Sequence, residues 1–158
     1  MSDYYARIVS TFIDGSPIFK TEADEKNERE ISEAISSNWG CECGSFGKLA
    51  PIDWYFVRDG RLVGIGELKT AGYASTKYGN AILNVRKWLA LSLASVGLGV
   101  PAVFVVRFED GDFWVHLSDI DAKNTKVMGL KKVMKSRNDR EPCILVPVIA
   151  MCRLSTKP

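Results

Sequence analysis

Asp53, Glu67 and Lys69 are the side chains of this sequence with the clearest chemical potential. Glu67 and Lys69 are two positions apart, so in an extended strand they emerge on one face, after Val63 and Ile65. The acid-x-Lys spacing alone is a weak signal, because it recurs at Asp24 to Lys26 and Asp121 to Lys123. What distinguishes Glu67 is an acid on the preceding strand, Asp53, which shares a face with Tyr55 and Val57. Arg58-Asp59-Gly60-Arg61 between the two strands is a hairpin signal. A three-residue loop over 59–61, or a bulge, sets Asp53 directly opposite Glu67; a two-residue turn pairs Asp53 with Gly66 instead.

Two facing carboxylates repel each other unless they are neutralised. Magnesium or manganese, hard ions that favour carboxylate and water oxygens, would do so. An ion held there can polarise a phosphodiester, lower the pKa of a bound water and stabilise the developing oxyanion. Lys69 could orient or deprotonate the attacking water, or offset charge on the pentavalent phosphate. Glu28 is three and seven positions before Ile31 and Ile35, in line with the apolar stripe of its helix, which makes it the candidate for a supplementary ligand.

The elements that must position these groups follow from pattern. Thr21 is an N-cap for a helix over 22–37, which Asn38 and Gly40 stop. Strands are predicted over 41–46, 52–57 and 62–69, and a largely apolar helix over 80–96, ended by Gly97, Gly99 and Pro101. Residues 102–108 and 113–117 form a second hairpin around Glu109-Asp110-Gly111-Asp112, and 143–151 a last strand. Residues 4–20 look like an irregular or short-strand lead-in.

At 158 residues, 46% hydrophobic and 25% charged, the chain has the length and composition of one globular domain. No apolar run is long enough for a membrane span and no signal-peptide pattern opens the chain, so a cytoplasmic protein without membrane association is expected. Cys41, Cys43, Cys143 and Cys152 have the wrong spacing for a zinc site and are expected to be ordinary thiols. Gly64-Ile65-Gly66 and Gly97-Leu98-Gly99 lack the Lys-Ser/Thr that follows a phosphate-binding loop, which argues against nucleotide binding. A net charge of +2 identifies no partner, but its distribution is uneven. Six acids fall between Glu22 and Glu33, and seven bases between Lys123 and Arg140 against Asp139 alone.

Pro51-Ile52-Asp53 followed by Glu67-Leu68-Lys69, with a Glu28-Arg29-Glu30 helix before and a long apolar helix after, resembles the PD-(D/E)xK nuclease superfamily. The element order matches over roughly residues 22–108; Pro51 stands two residues before Asp53 rather than beside it. The nearest flavour is that of small stand-alone nucleases, including Holliday-junction resolvases and phage-encoded relatives. The resemblance implies an α/β restriction-endonuclease-like core, a mixed central sheet flanked by helices. It also implies a Mg2+-dependent deoxyribonuclease in which Mn2+ substitutes, acting in the host cytoplasm if phage-encoded.

In the superfamily the hairpin acids bind the metal, the lysine assists hydrolysis and a helical glutamate completes the site. Those roles fall on Asp53, Glu67, Lys69 and Glu28, with the Leu68 carbonyl as a further ligand. A polar residue from the next helix often joins them; Lys87 fits best, with Asn84 and Lys77 behind it. DNA is then the implied partner. The arm over 123–141, through Lys131, Lys132, Lys135, Arg137 and Arg140, could neutralise its phosphates without reading sequence, and Tyr73, Tyr78 and Trp54 could stack on bases. A non-catalytic nucleic-acid-binding or assembly protein keeping the fold is the alternative. A resolvase cutting two strands symmetrically would need a homodimer.

Overall fold

The computed structural model describes residues 12–13, 16–17, 22–47, 49–129 and 140–155. After the short pair β1 (Phe12–Ile13) and β2 (Ser16–Pro17), helix α1 spans Glu22–Trp39. Glu22, Asp24 and Glu25 lie in its first turn, where the exposed N–H groups favour negative charge. Gly40 ends it in the left-handed region, φ 60°, and donates its N–H to the Ser36 carbonyl at 3.0 Å.

Strands β3 (Glu42–Ser45) and β5 (Arg61–Thr70) both pair antiparallel with β4 (Trp54–Arg58), which lies between them. The β4–β5 turn has two central residues, Asp59 and Gly60, both with positive φ (50° and 71°). Arg58 pairs with Arg61 and Val57 with Leu62; the register then shifts, and Phe56 pairs with Gly64 and Trp54 with Gly66. Val63 is therefore the extra residue of a bulge. The shift carries the ladder on to set Asp53 opposite Glu67.

Beyond β5 come β6 (Asn80–Asn84), α2 (Val85–Leu98), β7 (Ala102–Phe108), β8 (Gly111–His116), β9 (Thr125–Gly129), β10 (Arg140–Pro147) and β11 (Cys152–Arg153). The main sheet has the order β11-β8-β7-β5-β4-β3, with β5 and β7 parallel and its other pairs antiparallel. A smaller antiparallel sheet has the order β6-β10-β9. The sequence α1-β3-β4-β5-α2-β7 is the restriction-endonuclease-like core, a mixed sheet with a helix on each face.

Alternation in β5 and β7 divides two cores. On one face, Ile31 and Ile35 of α1 pack on Phe56, Leu68, Val103 and Val105. On the other, Ile65, Phe104 and Val106 meet Leu91 of α2, Leu83 of β6, and Ile144 and Val146 of β10. Phe104, Leu91 and Ile144 are fully buried, and each such side chain stabilises the fold by about 1.5–3 kcal/mol. The glycines of Gly64-Ile65-Gly66 have a packing reason: a Cβ on Gly66 would stand 3.1 Å from the Phe56 ring and 3.1 Å from the Val103 carbonyl.

Two expectations need correction, and a third falls largely outside the described residues. The helix predicted from residue 80 starts at Val85, because Ala81 and Leu83 alternate with half-buried neighbours and Asn80–Asn84 pairs with β10; Asn84 caps the helix only after that. The last strand begins at Arg140 and breaks at the 3₁₀ turn Val148–Ala150 before β11. The basic arm opens as β9, with Lys123 and Lys126 exposed, and Arg140 is exposed at the start of β10; Lys131, Lys132, Lys135 and Arg137 lie outside the described residues. No described helix is long and apolar enough to cross a membrane.

Candidate active site

Beside the β4–β5 hairpin is a cleft of about 420 Å3, walled by Glu67 and Lys69, by Ile82 and Asn84 of β6, by Lys87 and Ala90 of α2, and by Ala50 and Pro51. Asp53 meets Lys87 of this cleft from the extended residue before β4, where its carbonyl accepts the Phe46 N–H at 3.1 Å and prolongs the β3–β4 ladder. Leu68 turns its side chain into the α1 core, so it borders the cleft through its backbone.

Asp53 and Glu67, which the bulge sets face to face, are close enough for each carboxyl to act on the other. The Lys87 ammonium stands 2.7 Å from Asp53 Oδ1, to which it donates, and 3.2 Å from Glu67 Oε2. That second contact is an ion pair outside hydrogen-bonding geometry: Glu67 Oε2 is buried and receives no hydrogen bond. Burial, aided by the neighbouring Asp53 carboxyl, pushes the Glu67 carboxyl up to about 8 despite Lys87. For Lys87 burial works against the charge, but Glu67 and Asp53 outweigh it and hold the ammonium above its ordinary range.

Lys69 is on the Glu67 face of β5, mostly buried, and its Nζ donates to the Ile82 carbonyl at 2.9 Å. Burial lowers its pKa, only partly offset by the nearby Cys143 thiol and Glu67. A lysine that gives up its proton more readily than usual thus lies two residues from the carboxylate pair. Asn84 fixes the start of α2 by accepting the Arg86 N–H at 2.8 Å, and its side-chain amide donates to Glu141 of β10. Arg86 closes the group with a 3.1 Å ion pair to Glu141.

The fold therefore gathers Asp53, Glu67, Lys69 and Lys87. Glu28 is on α1, whose buried Ile31 and Ile35 pack on the Leu68 face of the sheet, whereas Glu67 emerges on the other. Trp54 packs at the edge of that α1 core; Tyr73 and Tyr78 meet edge to face at 4.9 Å, with Tyr78 exposed. Lys77 lies 5.2 Å from the centre of the Tyr78 ring. Sequence reasoning missed Glu141 and the Ile82 carbonyl. Glu141 belongs to a strand placed by long-range pairing, and the only local hint of β6 was the alternation of Ala81 and Leu83.

Among the described residues no group of three or more His, Cys, Asp and Glu side chains could hold a metal. The four cysteines are free, with Cys41 and Cys143 buried and Cys152 exposed. The carboxylate pair, whose Glu67 Oε2 accepts no hydrogen bond, still suits a hard divalent ion, which keeps several water or phosphate oxygens and takes only one or two carboxylates from the protein.

Comparison with known proteins returns a family model described as "Phage putative PDDEXK endonuclease", which matches residues 15–154. Among solved structures, Hjc of Archaeoglobus fulgidus, a Holliday junction resolvase from an archaeal hyperthermophile, is similar at 12% identity and a TM-score of 0.47, over 61% of this chain and 76% of that one. No curated protein matches the sequence.

Proposed function

Because this chain belongs to the phage PDDEXK endonuclease family, we propose that it is a divalent-metal-dependent endonuclease that hydrolyses DNA phosphodiester bonds in the cleft between β5, β6 and α2. The observation that carries the reading is the half-buried Asp53–Glu67 pair, with a Glu67 Oε2 that accepts no hydrogen bond and faces the Lys87 ammonium at 3.2 Å, and a lysine two residues on whose pKa burial lowers. A buried carboxylate oxygen that accepts no hydrogen bond is costly in a structural site and is expected where a ligand completes the set.

Asp53 and Glu67 would hold Mg2+, or Mn2+ in its place, with the Leu68 carbonyl as a further oxygen. A bound ion supplies Lewis acidity at the scissile phosphate and a more acidic water. Lys69, whose pKa burial lowers, would position the attacking water or take its proton. Lys87 compensates the charge of the two acids and can move to a phosphate oxygen. Glu28 has at most a supplementary role. The basic segment around Lys131, Lys132, Lys135, Arg137 and Arg140 would bind the backbone of DNA through phosphates, and the protein would act in the cytoplasm of the host cell.

The test is cleavage of linear, circular single-stranded and branched DNA with Mg2+, Mn2+ or EDTA, with Asp53→Ala beside the wild type. Metal-dependent products that vanish in the variant are expected. Equal cleavage by Asp53→Ala, or DNA binding without scission on any substrate, would overturn the proposal.

A further inference from the structure

One side chain already serves the two acids as a cation. Lys87 Nζ stands 2.7 Å from Asp53 Oδ1 and 3.2 Å from Glu67 Oε2, and among the described residues no other cation is within ion-pair distance of either. Lys69 does not share the task, because its ammonium donates to the Ile82 carbonyl. A single positive charge therefore relieves the repulsion between carboxylates on neighbouring strands. A hard divalent ion would take the same oxygens, so ammonium and ion are alternatives at one place.

The contacts of Lys87 are those of a removable cation. It is the third residue of α2, whose first turn carries no acid, so the helix N-terminus opposes its charge and the pair across the cleft supplies the attraction. The side chain is 32% exposed and ends a four-carbon stem of rotatable bonds. Its approach to Glu67 lies outside hydrogen-bonding geometry, so the buried Oε2 accepts no hydrogen bond. The ammonium neutralises that oxygen without saturating it.

We propose that Lys87 is a tethered competitor for the divalent ion, holding the Asp53–Glu67 pair in the metal-free protein and swinging out of it when the ion binds. This role presupposes the metal-dependent reading of the cleft and deepens it by assigning the regulation of loading to a residue of the chain itself. Each binding event must first break the Lys87 contacts, so the free protein takes up the ion weakly. Affinity rises once Lys87 finds another anion, a DNA phosphate in the reading above, and by reciprocity the bound ion strengthens that phosphate contact.

Mn2+ binding to the full chain, followed by the electron paramagnetic resonance of the free ion, needs neither DNA nor cleavage. Asp53→Asn should abolish it. Lys87→Met and Lys87→Gln should tighten it by about ten- to a hundredfold, because contacts between charged groups no longer have to be broken. Lys87→Arg keeps the cation and should not tighten it. Displacement itself is read by reductive methylation with peptide mapping: Mg2+ should raise the labelling of Lys87 several-fold and leave that of the exposed Lys77 unchanged. Mn2+ affinity that Asp53→Asn does not alter would overturn the placement of the ion at the pair, and the role of Lys87 with it. Binding that Asp53→Asn abolishes but neither Lys87→Met nor Lys87→Gln tightens, or Lys87 labelling that Mg2+ does not change, overturns the role of Lys87 alone and leaves the reading of the cleft standing.

Discussion

Replacing Glu67 by Gln should stabilise the metal-free protein while abolishing its chemistry. The Glu67 carboxyl, 14% exposed, is raised from an ordinary 4.5 to about 8 by burial and by Asp53. A carboxyl with a raised folded-state pKa carries no penalty below the unfolded value. As pH rises from 4.5 towards 8 the unfolded chain ionises and the folded one resists, so stability is progressively lost across that window. At 1.36 kcal/mol per pKa unit, the loss is about 4 kcal/mol at pH 8 and about 1 kcal/mol at pH 5, both ceilings. Glutamine keeps the shape, can donate to Asp53 and does not ionise. Urea unfolding in EDTA should therefore find Glu67→Gln more stable than wild type at pH 8, by up to about 4 kcal/mol or roughly 8–16 °C in Tm. The gap should narrow at pH 5. Saturating Mg2+ should reverse the order at pH 8, since only the wild type gains from the ion. Equal stability of the two proteins in EDTA at pH 8, or a gap that does not change with pH, would refute the argument.

Other substitutions separate the remaining roles. Lys69→Met should lower the single-turnover cleavage rate by about 10²–10⁴-fold while Mg2+ still raises Tm, because proton handling and not ion binding is lost; a rate within a few-fold of wild type would remove Lys69 from the chemistry. Lys87→Met leaves Asp53 and Glu67 without their cation and should destabilise the metal-free protein by about 1–3 kcal/mol, recovered when Mg2+ is added, as thermal denaturation would show. Glu28→Gln should change the Mg2+ affinity measured by calorimetry far less than Asp53→Asn does. Changing Lys131, Lys132, Lys135 and Arg137 together to Ala should weaken DNA binding uniformly across sequences and flatten its salt dependence by roughly 0.9 per lost contact to duplex phosphate.

The site acids were legible because strand alternation and a turn signal are local. Their register was not: a three-residue loop and a two-residue turn followed by a bulge at Val63 bring Asp53 to the same partner, and nothing within the hairpin sequence separates the two. Lys87 could be found because it and Arg86 interrupt an apolar helix. The β6 strand could not, since five residues of alternation run directly into α2 and gain their ladder from β10, far along the chain. Glu141 was missed for the same reason. Glu28 was placed from helical periodicity alone, in line with the buried stripe, and that stripe packs on the sheet face away from Glu67.

The pairing of β6 with β10 sets a schedule for the molecule during synthesis. The hairpin bearing Asp53 and Glu67 can close as soon as it leaves the ribosome, but β6, whose Ile82 carbonyl holds Lys69, has no ladder until α2, β7, β8 and β9 have all been translated and β10 follows. At roughly 5–20 residues per second that delay is several seconds. Throughout it the cleft lacks a wall and Lys69 lacks its acceptor. In a nascent copy Asp53, Glu67 and Lys69 are thus present before the cleft that gathers them, and they come together only after β10 has been made.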